Sequence, residues 1–331
     1  METFLTGEKV PDLVRHLSKD YCVIAPTAKG PTFVFSEVED PASVVVNYNT
    51  TILPPKKYFM PSKEELLSFD KSSGAVSAPV VDGKPKVMVG VHSYDMQGIL
   101  RLDELMKEGN PDKTYLARRQ NTYFIGVAFS PDDYHFCESV GIGICDTEGF
   151  DAFLMLADGG YILKTLTPAG EKMLKGFEGS AGTAKALPPD TAFKKKIMPD
   201  LSRIPAILDK AYTTGIWKAE GEKCFSCGSC NLVCPTCYCF DVLDEINLDM
   251  TTGVRSRVWD ACQLTTFAEV AGGENFRHKR EGRVRHRVYR KFRYLSDKYA
   301  KPFCVGCGRC NRACTAKISI VDMVNEAAAS V

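Results

Sequence analysis

Two cysteine runs of identical spacing constrain this chain more than any other feature. Cys224, Cys227, Cys230 and Cys234 form C-x2-C-x2-C-x3-C followed by Pro235, and Cys304, Cys307, Cys310 and Cys314 repeat it with Thr315 in the proline position. Three thiolates within seven residues can each take one iron of a cubane 4Fe-4S cluster. Strain in so tight a loop keeps its fourth cysteine from closing the same cage. In the two-cluster bacterial arrangement that fourth cysteine serves the other cluster. The expectation is one cluster on Cys224, Cys227, Cys230 and Cys314, and a second on Cys304, Cys307, Cys310 and Cys234. Crossed ligation would make residues 224 to 315 one unit whose folding depends on metal. Structural zinc sites use two C-x2-C pairs and close at four ligands, so the crowding favours iron and sulfide. Met1 to Lys9 lacks a basic start followed by an apolar core, which argues against export and hence against a disulfide framework.

Eleven of the 14 cysteines lie between Cys224 and Cys314. Cys237, Cys239 and Cys262 read in two ways: as extra thiols that tune or ligate a cluster, or as small buried hydrophobes. Cys22, Cys137 and Cys145 are expected to be packing residues, and His135, close to Cys137, a core or solvated histidine. Gly228, Gly306 and Gly308 would let backbone N–H groups approach sulfur. Phe225, Val233, Val305, Ile318 and Ile320 would keep water from the clusters.

The length of 331 residues suits two domains. Hydrophobic residues at 44% and charged residues at 25% exclude a disordered or collagen-like chain. A membrane span needs about 20 mainly apolar residues, and the uncharged stretch Pro41 to Pro55 falls short, so no span is expected. Upstream of the cysteines, periodicity predicts a helix at Asp12 to Leu17, strands at Tyr21 to Ala25 and Thr32 to Val38, and a helix from a Ser62/Glu65 capping box through Leu67. A strand at Lys86 to His92, a helix at Asp95 to Lys107 and a strand at Thr122 to Phe129 then suggest a βαβ unit. Phe150 to Leu156 and Tyr161 to Leu166 flank a hairpin turn, and helices are expected at Pro168 to Gly176 and Leu201 to Tyr212. The fold class that follows is an α/β N-terminal domain (1–185), a helical linker (186–222) and an α+β ferredoxin-like dicluster domain (223–331), the last carrying a long basic insert at about 241–300.

Within that insert, Arg277 to Arg293 carries nine Lys+Arg against the single acid Glu281, and without it 33 bases and 40 acids leave a balance of −7. These cations would cover the clusters, dock an acidic partner or simply face solvent. Nucleic-acid binding, with Tyr289, Phe292 and Tyr294 as stacking groups, is a weaker alternative. Dinucleotide, phosphate-loop and hydrolase fingerprints are missing. A chain able to pass single electrons without substrate chemistry of its own reads as a relay within an oxidoreductase. A rival is direct reduction of a sulfur or thiol substrate at Cys237, Cys239 or Cys262.

Several motifs resemble a known family, the two-cluster iron-sulfur subunits exemplified by the beta subunit of nickel-iron sulfhydrogenases and the corresponding iron-sulfur subunit of anaerobic sulfite reductase. They are Lys57 to Pro61 (KYFMP), Gly90 to Leu105 (GVHSYDMQGILRLDEL), Cys137 to Gly141 with Gly149 to Asp151, Cys234 to Cys239 (CPTCYC), Trp259 to Cys262 (WDAC) and Cys304 to Cys314 (CVGCGRCNRAC). The resemblance implies two 4Fe-4S clusters, the same eight ligands and a cytoplasmic multisubunit complex. It also implies a flavin-containing partner subunit, holding FAD and using NAD(P), and a separate catalytic redox subunit. Where relatives tend to carry Arg-x-Cys-Asp and Cys-Phe-Cys, this chain has His92-Ser93-Tyr94-Asp95 and His135-Phe136-Cys137. These departures suggest a divergent branch, such as one serving a heterodisulfide-reductase-linked assembly.

Overall fold

The computed structural model describes residues 2–81 and 83–331. Its strands are β1 (Glu2–Thr6), β2 (Cys22–Lys29), β3 (Thr32–Glu37), β4 (Lys63–Asp70), β5 (Ala75–Ser77), β6 (Lys86–Val91), β7 (Thr122–Val127), β8 (Ala152–Ala157), β9 (Gly160–Thr165), β10 (Phe240–Ile246) and β11 (Thr252–Trp259). Seven of them form a mixed sheet in the order β1-β9-β8-β7-β6-β2-β3. Its centre, β2-β6-β7-β8, is parallel, and the outer pairings are antiparallel. Central β6 (KVMVGV) is apolar almost throughout because helices and neighbouring loops cover both its faces. The helix α1 (Val10–Ser18) buries Val10, Leu13, Val14 and Leu17, a spacing that keeps all four along one face. The β6–β7 crossover contains α2 (Ser93–Met106) and α3 (Lys113–Gln120), the expected βαβ unit. The β8–β9 hairpin turns at Asp158-Gly159, and α4 (Pro168–Met173) is capped by the Thr167 hydroxyl.

The Ser62/Glu65 pattern misleads: Lys63–Asp70 is strand, not helix. Pairing with β11 on one side and β5 on the other satisfies its backbone, and Glu64 turns inward to Arg257 (Nε to Oε1 2.8 Å) and Arg118. A capping box contributes about 1 kcal/mol, less than a ladder of pairings with a buried ion network. The second sheet, in the order β10-β11-β4-β5, therefore joins a hairpin from residues 63–77 to one from residues 240–259. The linker expected to be helical throughout is so only from Leu201. Residues 186–200 contain no helix, and Ala186 bridges to Ala157.

From Leu201 the chain forms a 3-10 turn, α5 (Ile204–Lys210) and α6 (Ile216–Lys223), which leads directly into Cys224. The short helices α7 (Ser229–Leu232) and α10 (Arg309–Ala313) occupy corresponding places in the two cysteine runs and pack on each other. Each begins after a left-handed glycine, Gly228 (φ +74°) or Gly308 (φ +69°). Between them lie α8 (Arg280–Phe292) and α9 (Ser296–Tyr299), and α11 (Ile320–Ala329) closes the chain against α5, α6 and α8. One continuous core runs through both parts, from Val91, Tyr94 and Phe136 to Val305, Val321 and Val324. Among the described residues no helix is long and apolar enough to cross a membrane.

Candidate metal centre

Cys224, Cys227, Cys230 and Cys314 line one cavity, with Cys310 on its inner wall. Cys224 and Cys227 come from the loop joining α6 to α7, Cys230 from within α7, and Cys314 arrives from the end of α10. Ser226 holds a left-handed φ of +56° that directs its backbone N–H at Cys224 Sγ (3.4 Å). In the other run the Ile318 N–H points at Cys314 Sγ (3.3 Å). Cys234, Cys304, Cys307 and Cys310 lie within electrostatic reach of one another in the interior. The two sets differ in exposure: Cys227 is exposed, whereas Cys234 and Cys307 are buried. Val305 and Ile320 are buried as a shield should be, but Phe225 is 68% exposed at the mouth of the first cavity, and Val233 lines a different surface pocket.

Helix α8 supplies the charge. Arg283, Arg287 and Lys291 recur every four residues and are only 3%, 6% and 5% exposed, so the basic segment is not a solvated face. Val284, Val288, Tyr289 and Phe292 hold that helix in the core, each buried side chain contributing about 1.5–3 kcal/mol. With Tyr289 and Phe292 buried, neither is available to stack on a base. Arg287 lies close to Cys230, Cys310, Cys237 and Cys234, Lys291 to Cys234 and Cys304, and Arg283 to Cys224. Lys291 donates to Thr236 Oγ1 (2.7 Å). Arg285 faces elsewhere, stacked over Tyr212 at 3.9 Å. Sequence reasoning missed Lys56, also buried, which donates to the Cys237 carbonyl (2.7 Å) and sits 4.5 Å over Trp259. Among the described residues no carboxylate pairs with Arg287, Lys291 or Lys56. Buried cations without acids are costly unless another anion faces them. Sulfur-lined space beside them fits dianionic clusters well.

The N-terminal motifs hold the cysteine loops in place. Arg309, inside the second run, forms a two-pronged ion pair with Asp95 of α2 (2.6 and 2.7 Å) and donates to the Thr51 carbonyl (2.8 Å). Arg101 donates to the Pro302 carbonyl (2.8 Å), and Gly98 lets α2 approach Pro235, which a methyl would meet at 2.9 Å. Phe136 N–H donates to the Gly306 carbonyl (2.9 Å), packing the Cys137 motif on the second run. His135 and Cys137 belong to the core, where burial pushes the Cys137 thiol up to about 12. Cys22 is half-buried, and Cys145, expected to pack, is exposed.

Residues 223–318 match the 4Fe-4S dicluster domain family. Over 97% of both chains the protein is 35% identical to Sulfhydrogenase 2 subunit beta of Pyrococcus furiosus. The chain belongs to the sulfhydrogenase beta-subunit family. The likeness carried by short motifs thus extends along the whole sequence, and the chain is an iron-sulfur, electron-transfer type of oxidoreductase subunit with a mixed α/β fold. No solved structure matches it.

Proposed function

We propose that the chain relays single electrons through two 4Fe-4S clusters, one on Cys224, Cys227, Cys230 and Cys314 and the other on Cys304, Cys307, Cys310 and Cys234. The observation that carries this is the row of buried cations on α8, Arg283, Arg287 and Lys291, which pair with no carboxylate among the described residues, set against thiol-lined space. When bound, each cluster supplies a one-electron couple between states of about −2 and −3. The chain's own residues hold, shield and bias that couple: the thiols ligate, Val305 and Ile320 exclude water, and Arg287 and Lys291 favour the more negative state. Exposed Cys227 and Phe225 make the first cavity the face through which a partner exchanges electrons, while the second set lies deeper.

The matched relative is by name a beta subunit, which supports placement in a multisubunit oxidoreductase, and the reading places that complex in the cytoplasm. There a flavin subunit using FAD and NAD(P) would sit on one side, and a hydrogenase, sulfur or sulfite reductase, or heterodisulfide-reductase-linked catalytic subunit on the other. Iron and acid-labile sulfide per chain after anaerobic purification test the proposal. About eight of each is expected, and zinc without sulfide would overturn it. A second reading, direct reduction of a sulfur or thiol substrate, draws on the pocket around Cys237, Cys239 and Cys262.

A further inference from the structure

A pocket of about 310 Å³ lies beside the cysteine loops, and Arg287 lines both it and the cavity of Cys224, Cys227, Cys230 and Cys314. That volume falls within the range of small-molecule sites, about 300–1,000 Å³. One wall is cationic. Arg287, Arg290 and Lys291 stand three and four residues apart on α8, a spacing that puts them on one face, and all three line the pocket. Among the described residues no Asp or Glu lines it. Arg287 and Lys291 are already engaged, Arg287 donating to Cys237 Sγ (3.7 Å) and Lys291 to Thr236 Oγ1 (2.7 Å). Arg290 is different. Half-buried, it has neither a hydrogen bond nor an ion pair among the described residues, and its guanidinium lies 5.3 Å over the Tyr238 ring. Tyr238, Phe267 and Leu295 give the same pocket an apolar surface. Tyr238 and Phe267 reach it from the two ends of the β10–β11 hairpin, which the pairing of Phe240 with Trp259 closes.

We propose that this pocket is a binding site for a small organic acid, its anionic head on Arg290 and its apolar body against Tyr238 and Phe267. A half-buried guanidinium is costly to desolvate when its own surroundings supply no anion, and a ligand anion offsets that cost with charge-assisted hydrogen bonds. An inorganic anion would meet the charge and leave the aromatic walls wet. A neutral apolar molecule would cover those walls and leave Arg290 unpaired. Only a molecule carrying both parts satisfies the whole site. The shared Arg287 gives the site a consequence for the relay. A bound anion and an added cluster electron repel each other, so the acid binds the oxidised protein more tightly, and by reciprocity its binding lowers the cluster potential. This coupling rests on the dicluster reading, whereas the pocket itself does not.

The probe is 4-benzoylbenzoate, an aromatic acid that inserts into nearby C–H bonds on illumination, used on full-length, cluster-loaded protein under anaerobic conditions. Calorimetry gives the affinity and peptide mapping the labelled residues, with iron measured in each sample. One molecule per chain is expected, with label on Tyr238, Phe267 or Leu295. Arg290→Gln should weaken binding about tenfold, one charge-assisted hydrogen bond being lost. Arg290→Lys should recover most of that loss, and Arg285→Gln, against Tyr212, should bind as the parent does. Binding should weaken after dithionite is added. Label confined to other surfaces, 4-benzoylbenzamide binding as tightly as the acid, or displacement by an equal concentration of sulfate overturns the site. So does loss of iron in both Cys239→Ser and Cys262→Ser, since the pocket then holds a metal centre. An iron-free parent that still binds the acid overturns the dicluster reading and leaves the pocket standing, and full iron without binding does the reverse. Equal affinity in the two redox states overturns the coupling alone.

Discussion

Arg287 stands where the two sulfur-lined regions meet, and its charge acts on both. A positive charge at about 10 Å in an effective dielectric near 20 contributes about 1.7 kcal/mol, and about 2.3 kcal/mol corresponds to 100 mV for one electron. Arg287→Gln should therefore lower a cluster potential by on the order of 70 mV at most, because the more negative state loses its counter-charge. Arg285→Gln, on the far side of α8 against Tyr212, should leave the potential unchanged. Redox titration followed by paramagnetic resonance compares them, and equal shifts would remove the assigned role of Arg287. Cys314→Ser tests the crossing itself. It should damage the cluster held by Cys224 and spare the one held by Cys304, leaving about four of eight irons. Loss of the Cys304 cluster instead would mean that each run closes its own cage.

At the scale of elements, the cysteine loops are held by close backbone approach as much as by side chains. Gly306 has φ +66°, and a methyl there would lie 2.3 Å from Cys137 Cα. Gly141 is equally left-handed at φ +77° but has open space around it. The left-handed conformation alone costs an L-residue about 1–2 kcal/mol. Gly141→Ala should lose about that much, and Gly306→Ala clearly more, with iron released at lower temperature. Thermal unfolding with iron retention provides the comparison, and equal losses would show that contact with Cys137 is unimportant. Helix α8 makes a related point. Its four-residue cation spacing was visible in sequence, but the same letters describe a solvated helix and a buried one. Only the Val284, Val288 and Phe292 stripe packing inward turned Arg283, Arg287 and Lys291 toward the thiols.

For the whole molecule, the Asp95–Arg309 pair joins the α/β part to the second cysteine run at full burial. Removing one partner of such a pair leaves an uncompensated charge and costs about 3–5 kcal/mol. Asp95→Asn should reduce stability by that order in denaturant titration, while a paired Asp95→Leu/Arg309→Met replacement should recover part of the loss. An unchanged midpoint in Asp95→Asn would mean that the pair does not hold the two parts together. The second sheet acts in the same sense, since β11 pairs with β4, far earlier in the chain, and so joins the two hairpins.

The sequence alone determined the metal chemistry and most of the local elements. Ligand spacing is a short-range property, and the helix and strand periods of α1, α2, β6, β7 and the β8–β9 hairpin are set by which face meets the core. Tertiary structure decided what distant segments do to one another. Lys63–Asp70 became strand because β11, far along the chain, outweighed its own capping signal, and buried Lys56 carried no mark in its neighbourhood. Cys239 and Cys262 are separated by 22 intervening residues that spacing cannot fold, and hairpin pairing brings them to the wall of one pocket. Short-range bonding is written along a chain, whereas which surfaces are removed from water depends on all of it at once.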